Sequence, residues 1–284
     1  MIGAWRSMRP NPYLVPEAFT IKGAEAGELR LPDRPYWLSV APDCASVAWV
    51  PLQSVYSAVL TMPAAQPIVR FTDHSGGTRT VRFPGICANQ VAVSSKAKHL
   101  AVISVFDAAA QRRVIVLNAA SGQVEYEVTD LIKQFHLSEV HRFQISSNGD
   151  RLCVASREAF VVIDLPFRRV LLQGQERSPS LCPSGDVLGV IDQRGELTLI
   201  TLPAGARKTV SNQWWAIVGL GGWTPDGRFL LAGVRDALGL STHLVSIDCY
   251  TKQWAEIMPL DIEGDHGETC VWVKRHFLSN RRSV

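Results

Sequence analysis

Six tight turns alternate with six hairpins along this chain of 284 residues, and the series starts on a hairpin and stops on a turn, as a circle does when it is cut inside one unit. The turns read APDC (41 to 44), SSKA (94 to 97), SSNG (146 to 149), CPSG (182 to 185), TPDG (224 to 227) and LSNR (278 to 281). The hairpins begin at Phe19, Ala58, Val114, Phe160, Leu197 and Leu244. Asp-Gly, Asn-Gly and Ser-Gly supply the positive φ of a tight strand connection, and a proline one or two places earlier sets its own φ near the required value. Cys44, Ala97 and Arg281 stand where the other turns carry glycine, so those three turns are expected to be longer or of another type.

Each unit opens with a short apolar stretch before its turn, continues into a β-branched run after it, and ends in an alternating hairpin, which makes four strands per unit. The turns recur every 36 to 54 residues, around the roughly 40 to 50 of a four-stranded propeller blade. One such sheet cannot bury both faces, whereas radial packing of neighbours buries both and leaves only short edges. The expected fold class is all-β: a six-bladed β-propeller closed by pairing of the N- and C-terminal segments in one blade, with the C-terminal segment as its inner strand. The alternative is seven blades, the seventh hidden in 72 to 90 or 129 to 142. One domain, 1–284, is expected, with blade 6 shared by 1–31 and 268–284 and the other blades at about 36–72, 88–129, 141–174, 178–210 and 215–258.

The segments TPDGRFLLAG and SSNGDRLCVAS, each followed by a short apolar strand ending near Asp164 or Asp248, resemble the repeats of WD-repeat and TolB-type β-propellers. The Trp-Asp dipeptide and Gly-His pair of regular WD repeats are absent. The resemblance implies a binding platform.

Composition narrows the class. Hydrophobic residues at 46% and charged residues at 19% describe a chain that buries a sizeable core. No apolar run approaches the ~18 to 20 residues that span a bilayer, and the opening MIGAWRSMRPNPYLVPEAF lacks an apolar core of signal-peptide length. No membrane association is expected and the expected address is cytoplasmic. The six cysteines show no CxxC spacing and read as reduced, structural thiols. A net charge of +3 is too small to call for nucleic acid as a partner.

The long irregular segments fall between blades and between second and third strands, on the face opposite the tight turns, where binding is expected. In 73 to 90, Arg79 and Arg82 offer forked donors to a carboxylate or phosphate surface, or belong to a solvated glycine-rich loop. In 129 to 142 a short capped helix is expected, its apolar side packed on the sheets or offered to a partner, with His136 and Arg142 beside it. Trp214 and Trp215 are adjacent, so one ring points inward and the other is available as an interface anchor. Asp261, Glu263, Asp265 and His266 place acid and imidazole near the channel mouth, as a solvated loop or an acidic patch for a basic partner. No calcium-loop or zinc spacing is present, and no metal or cofactor is called for.

No nucleophile elbow, P-loop, zincin or dinucleotide motif occurs. The expected function is therefore a non-catalytic propeller that binds a protein partner through its irregular loop face, with an inhibitor or immunity-type role as one form of it. Two other classes stay open: a hydrolase or lyase with Asp261, Asp265 and His266 at the channel, and a small-ligand or glycan binder over Trp214 or Trp215.

Overall fold

Turn chemistry decides where each sheet begins. In a computed structural model, which describes residues 2–5, 17–20, 25–28, 35–51, 68–72, 77–82, 88–104, 113–133, 140, 142–156, 159–210, 215–236, 241–260 and 270–273, five of the six turns close in the same way. The N–H of the first turn residue donates across the turn in each: Ala41 to Ser46, Ser94 to His99, Ser146 to Arg151, Cys182 to Val187 and Thr224 to Phe229. The fourth residue donates back to the first, from Cys44, Ala97, Gly149, Gly185 and Gly227. That fourth residue has positive φ whether or not it is glycine, 55° at Cys44 and 51° at Ala97 against 84° at Gly149. The expectation of a different turn is thus corrected at Cys44, whereas at Ala97 it holds, because Lys96 before it also has a positive φ of 58° within a three-residue 3-10 turn. The Cys44 and Ala97 side chains are buried, and their packing, with the turn hydrogen bonds, offsets the roughly 1–2 kcal/mol that a left-handed L-residue costs. The LSNR turn lies outside the described residues.

Twenty-four strands are described. The chain's two ends build one sheet: β1 (Ile2–Trp5), β2 (Glu17–Thr20) and β3 (Glu25–Glu28) follow β24 (Cys270–Val273) in the order β24-β1-β2-β3. β24 runs antiparallel to β1, with Ile2 opposite Val273 and Trp5 opposite Cys270.

Five further sheets each come from one continuous stretch. The first holds β4 (Pro35–Val40), β5 (Val47–Pro51), β6 (Ile68–Thr72) and β7 (Thr78–Arg82). The second holds β8 (Ala88–Val93), β9 (His99–Ser104), β10 (Val114–Asn118) and β11 (Val124–Glu127), and a short helix α1 (Thr129–Lys133) leads out of it. The third holds β12 (Arg142–Ile145), β13 (Arg151–Ala155), β14 (Phe160–Asp164) and β15 (Arg169–Gly174). The fourth holds β16 (Arg177–Leu181), β17 (Val187–Ile191), β18 (Leu197–Thr201) and β19 (Arg207–Val210). The fifth holds β20 (Trp215–Trp223), β21 (Phe229–Asp236), β22 (Thr242–Asp248) and β23 (Trp254–Leu260).

The cores lie between these sheets and explain why their middle strands are apolar on both faces. Along β9, Leu100 and Val102 pack toward the first blade while Ala101 and Ile103 pack toward the third. Along β13, Leu152 and Val154 meet the second blade and Cys153 and Ala155 the fourth. The fourth and fifth blades share Ile191, Leu197, Leu220, Leu230 and Val245.

The expected count of six or seven blades is corrected to five, counting blades as continuous sheets with a packed core among the described residues. The described residues of the segments 72 to 90 and 129 to 142 hold β7, part of β8 and α1, and no additional sheet is found among them. The sheet made from the two ends lies between the fifth and first blades, with β24 beside β20 and β4.

One further boundary moves. The hairpin expected from Ala58 to about residue 72 is instead closed by β7, so the fourth strand of the first blade lies in the stretch read as an irregular connection. Thr72 and Thr78 Oγ1 stand 3.3 Å apart across its tip. A Thr-Arg-Thr-Val-Arg strand has one apolar side chain and leaves little hydrophobic signal.

Among the described residues no helix is long and apolar enough to cross a membrane.

Candidate partner-binding surface

On the tight-turn face the turns bond to one another as well as to themselves. The Lys96 N–H donates to Asp43 Oδ2 (2.7 Å), joining the first and second blades. The Ser95 N–H donates to the Ser147 carbonyl (3.1 Å) and the Ser147 N–H to the Pro183 carbonyl (2.8 Å), joining the second, third and fourth. Close packing accompanies these bonds: a Cβ added at Gly149 would lie 2.1 Å from His99 Nδ1, and one at Gly185 2.7 Å from Arg151 Cγ. This face is therefore a cross-linked rim, with little freedom to rearrange around a ligand.

Inside the rim the first strands are tied by side chains that reach a neighbour's backbone. Trp37 Nε1 donates to Val91 O (3.0 Å) and Gln90 Nε2 to Val140 O (2.6 Å). Gln144 Oε1 accepts from the Leu181 N–H (2.8 Å), Ser180 Oγ donates to Gly221 O (2.7 Å) and Trp223 Nε1 to Ser180 O (3.1 Å). Arg142, 5% exposed, donates from Nη1 to Pro179 O (3.1 Å) and from Nη2 to Leu220 O. It thus links the third blade to both the fourth and the fifth. At the rim end of these strands a cavity of about 70 Å³ remains between residues that include Val40, Val93, Ile145, Leu181 and Trp223. That is room for a few waters and not for a substrate of ordinary size.

A larger recess opens on the same face where the turns of the second and third blades meet the first. Its volume is about 620 Å³ and its lining includes Arg79, Lys96, Lys98, Asn118, Ser147 and Asn148, with no carboxylate among the described lining residues. Lys96 and Lys98 are exposed and make no ion pair with another described residue. Lys96 is aimed outward by its own positive φ of 58°, within a three-residue 3-10 turn. Amide side chains complete the lining as neutral donors and acceptors.

Two hairpin tips project from this face. Each is shaped by a side-chain oxygen at the end of a third strand. Asp164 Oδ1 accepts from the Phe167 N–H (3.4 Å), and Asp248 Oδ1 accepts from the Tyr250 and Thr251 N–H groups (2.9 and 3.1 Å). Phe167 and Tyr250 are left 72% exposed. Arg169 lies 5.1 Å above the Phe167 ring, a cation–π contact at a solvated site.

The structure distributes the candidate residues differently from the sequence reading. Arg79 is exposed on β7 and lines the recess on the turn face. Arg82 ends β7, and its side chain is outside the description. Arg142 is buried among backbone carbonyls. Trp215 opens β20, half-buried, with its ring edge-on to His243 at a centroid distance of 4.9 Å. His136, Trp214, Asp261, Glu263, Asp265 and His266 lie outside the described residues. Lys96, Lys98, Phe167 and Tyr250 were not singled out from the sequence. A lysine in a tight turn and an aromatic at a hairpin tip are each commonplace, and only the ring of turns brings them to one face.

The described residues contain no cluster of three or more His, Cys, Asp or Glu suited to a metal ion. Cys153, fully enclosed, has its thiol pushed up to about 12 by burial, and Cys249 is likewise raised to about 12 by burial, with Asp248 adding to it. Neither is a nucleophile near neutral pH.

Comparison of the fold with solved structures places it among the β-propellers, in line with the resemblance carried by its repeats. The crystal structure of TolB from Acinetobacter baumannii is similar with a TM-score of 0.59 at 13% identity, over 96% of this chain, which spans 66% of the TolB chain's length. A chain of the nidogen/laminin complex crystal structure is similar with a TM-score of 0.55 at 13% identity, over 95% of this chain and 97% of that one. No protein-family model matches the sequence, and no curated protein resembles it in sequence.

Proposed function

We propose that the protein is a docking platform whose turn face receives an acidic segment of a partner protein. The observation that carries this reading is the recess of about 620 Å³ whose described lining holds the exposed Lys96 and Lys98 and no carboxylate. Two exposed lysines on a rim held by inter-blade hydrogen bonds offer preformed positive charge, which raises encounter rates and lowers the ordering cost of binding. Phe167 and Tyr250 supply aromatic area at the edge of the same face, the residue types that dominate interface energetics. The cavity at the centre is too small to hold a substrate of ordinary size. One of the similar structures is of a protein complex by its own description. We read the protein as acting in the cytoplasm, in keeping with the four described cysteines being buried free thiols. An inhibitor or immunity-type role is the case in which the partner is an enzyme or toxin.

The experiment is affinity capture from the source cell with the wild type and with Lys96→Glu/Lys98→Glu, both checked for an unchanged melting temperature. A partner bound by the wild type is expected to fall at least about tenfold on the double substitution and to dissociate with added salt. A partner retained equally by both proteins would assign docking to another surface. Loss of the partner's own activity on mixing with the purified platform would identify the inhibitory case.

A further inference from the structure

At the opposite end of the fifth blade from the turns, four side chains form one hydrogen-bonded line. Ser241 and His243 are two residues apart at the start of β22, so both point to one side of the strand. That side is the one from which Val245 and Ile247 pack toward the fourth blade. His243 Nε2 stands 2.8 Å from Ser241 Oγ, and His243 Nδ1 stands 2.7 Å from Glu256 Oε1 on β23. Ser241 Oγ is also 2.6 Å from Asp236 Oδ2 at the end of β21. Trp215 closes one side of the imidazole. His243 and Glu256 are 16% and 46% exposed at their side chains, so the line is reachable from solvent.

The order of atoms matters more than the residue types. A carboxylate on Nδ1 fixes the tautomer that leaves Nε2 free to accept a proton, and Nε2 faces a serine hydroxyl within proton-transfer distance. This is the nucleophile, base and orienting acid of acyl transfer, a constellation known by its geometry and independent of fold. We propose that Ser241, His243 and Glu256 form an acyl-transfer site that hydrolyses esters of neutral or cationic acids. Anionic acyl groups are disfavoured beside Asp236 and Glu256, and the Trp215 ring favours an apolar one.

The chemistry balances with water as the only co-reactant. Ser241 Oγ bonds to the acyl carbon as its proton passes to His243 Nε2, and Glu256 steadies the resulting imidazolium. His243 returns that proton to the departing alcohol as the ester C–O bond breaks. Water then attacks the acyl-serine, its proton taken by His243 and passed to Ser241 as the carboxylic acid leaves. Asp236 competes for the Ser241 proton in the resting state and holds Oγ in place, so it is a positioning residue.

None of these residues lies in the recess on the turn face, so the two readings fail independently. The test uses the full chain with a fluorophosphonate probe, adducts mapped by mass spectrometry, and p-nitrophenyl acetate hydrolysis measured in parallel. Labelling of Ser241 is expected in the wild type and not in Ser241→Ala, with hydrolysis slowed about a hundredfold or more in His243→Asn and to a smaller extent in Glu256→Gln. Melting temperatures identify any variant that fails to fold, and the wild-type adduct map decides the matter without one. Folded wild type with no adduct at Ser241, or hydrolysis unchanged in Ser241→Ala, would overturn the proposal.

Discussion

Arg228 binds the Asp248 carboxylate through two nitrogens at once, Nε at 2.9 Å and Nη2 at 2.7 Å, both to Oδ2, while Oδ1 accepts the Tyr250 and Thr251 N–H groups. One carboxylate thereby joins the turn before β21 to the tip after β22. The third blade repeats the device, with Arg151 Nη1 3.1 Å from Asp164 Oδ2. The second replaces the acid with Asn118, whose Oδ1 accepts from Ala120 and Ser121.

These bonds favour the ionised carboxylate. The Thr251 backbone N–H, and then Arg228, hold Asp248 down to about 2 from an ordinary value of 3.8. A carboxyl group depressed in the folded state adds stability that is complete above its unfolded value and is lost as the pH falls toward the folded one. Urea unfolding of the wild type and Asp248→Asn is therefore expected to show a gap that is constant above about pH 5 and narrows toward pH 2. A gap independent of pH would deny the ionised contact.

Gly149 and Ala97 occupy the same position in successive turns and should tolerate exchange very differently. At Gly149, φ is +84° and an added Cβ would meet the His99 ring at 2.1 Å. The ring is held by Glu125 at 3.1 Å from Nε2, so it cannot simply swing away. Gly149→Ala should cost about 2–4 kcal/mol in chemical denaturation. Ala97→Gly relieves left-handed strain while giving up a buried methyl and gaining unfolded-state entropy, so it should change stability by less than about 1 kcal/mol. Equal effects at the two sites would mean that the stacking of turns carries no weight.

The repeat was legible because both of its signals are local. Apolar runs such as Phe160–Asp164 show up in any short window, and so do the Pro-Asp-Gly and Ser-Asn-Gly turns. The first blade's last strand was hidden because Thr78–Arg82 has only Val81 as an apolar anchor, and Cys44 misled because a buried cysteine can take a conformation that glycine adopts more cheaply. The functional residues were less visible for a different reason. His243 meets Glu256 only through the pairing of β22 with β23, and Lys96 comes to the same recess as Arg79 only through the packing of the second blade against the first. Spacing along a chain does not encode either relation.

Arg142 illustrates the same limit and yields a prediction. An arginine following a polar stretch reads as a surface group, yet its acceptors are carbonyls 37 and 78 residues away. Removing a charged donor from buried acceptors leaves them without a partner. Arg142→Met should therefore cost about 2–4 kcal/mol, with Arg142→Lys intermediate because an ammonium cannot span both carbonyls. Equilibrium urea unfolding measures both. A stable Arg142→Met protein would show that the third, fourth and fifth blades are held by their apolar interfaces alone.

The sheet formed by the two chain ends sets the last expectation. β24 bonds to β1 along Ile2–Trp5 and lies beside β20 on one side and β4 on the other. Removing residues 270 to 284 would leave the β1 edge unpaired and separate the fifth blade from the first. The packed interfaces among the five continuous blades would survive, because their described apolar contacts come from other strands. The truncated chain should therefore keep its far-ultraviolet β signal, unfold at a lower temperature with a broader transition, and bind a hydrophobic dye at the newly exposed flanks. Its amides should lose hydrogen-exchange protection first in β4 and β20, the strands that flank the gap, while β13 and β14 in the third blade stay protected. Uniform loss of protection across all five blades would instead mean that the terminal sheet is part of a single cooperative unit, and unchanged protection in β4 and β20 would mean that β24 does not join the ring.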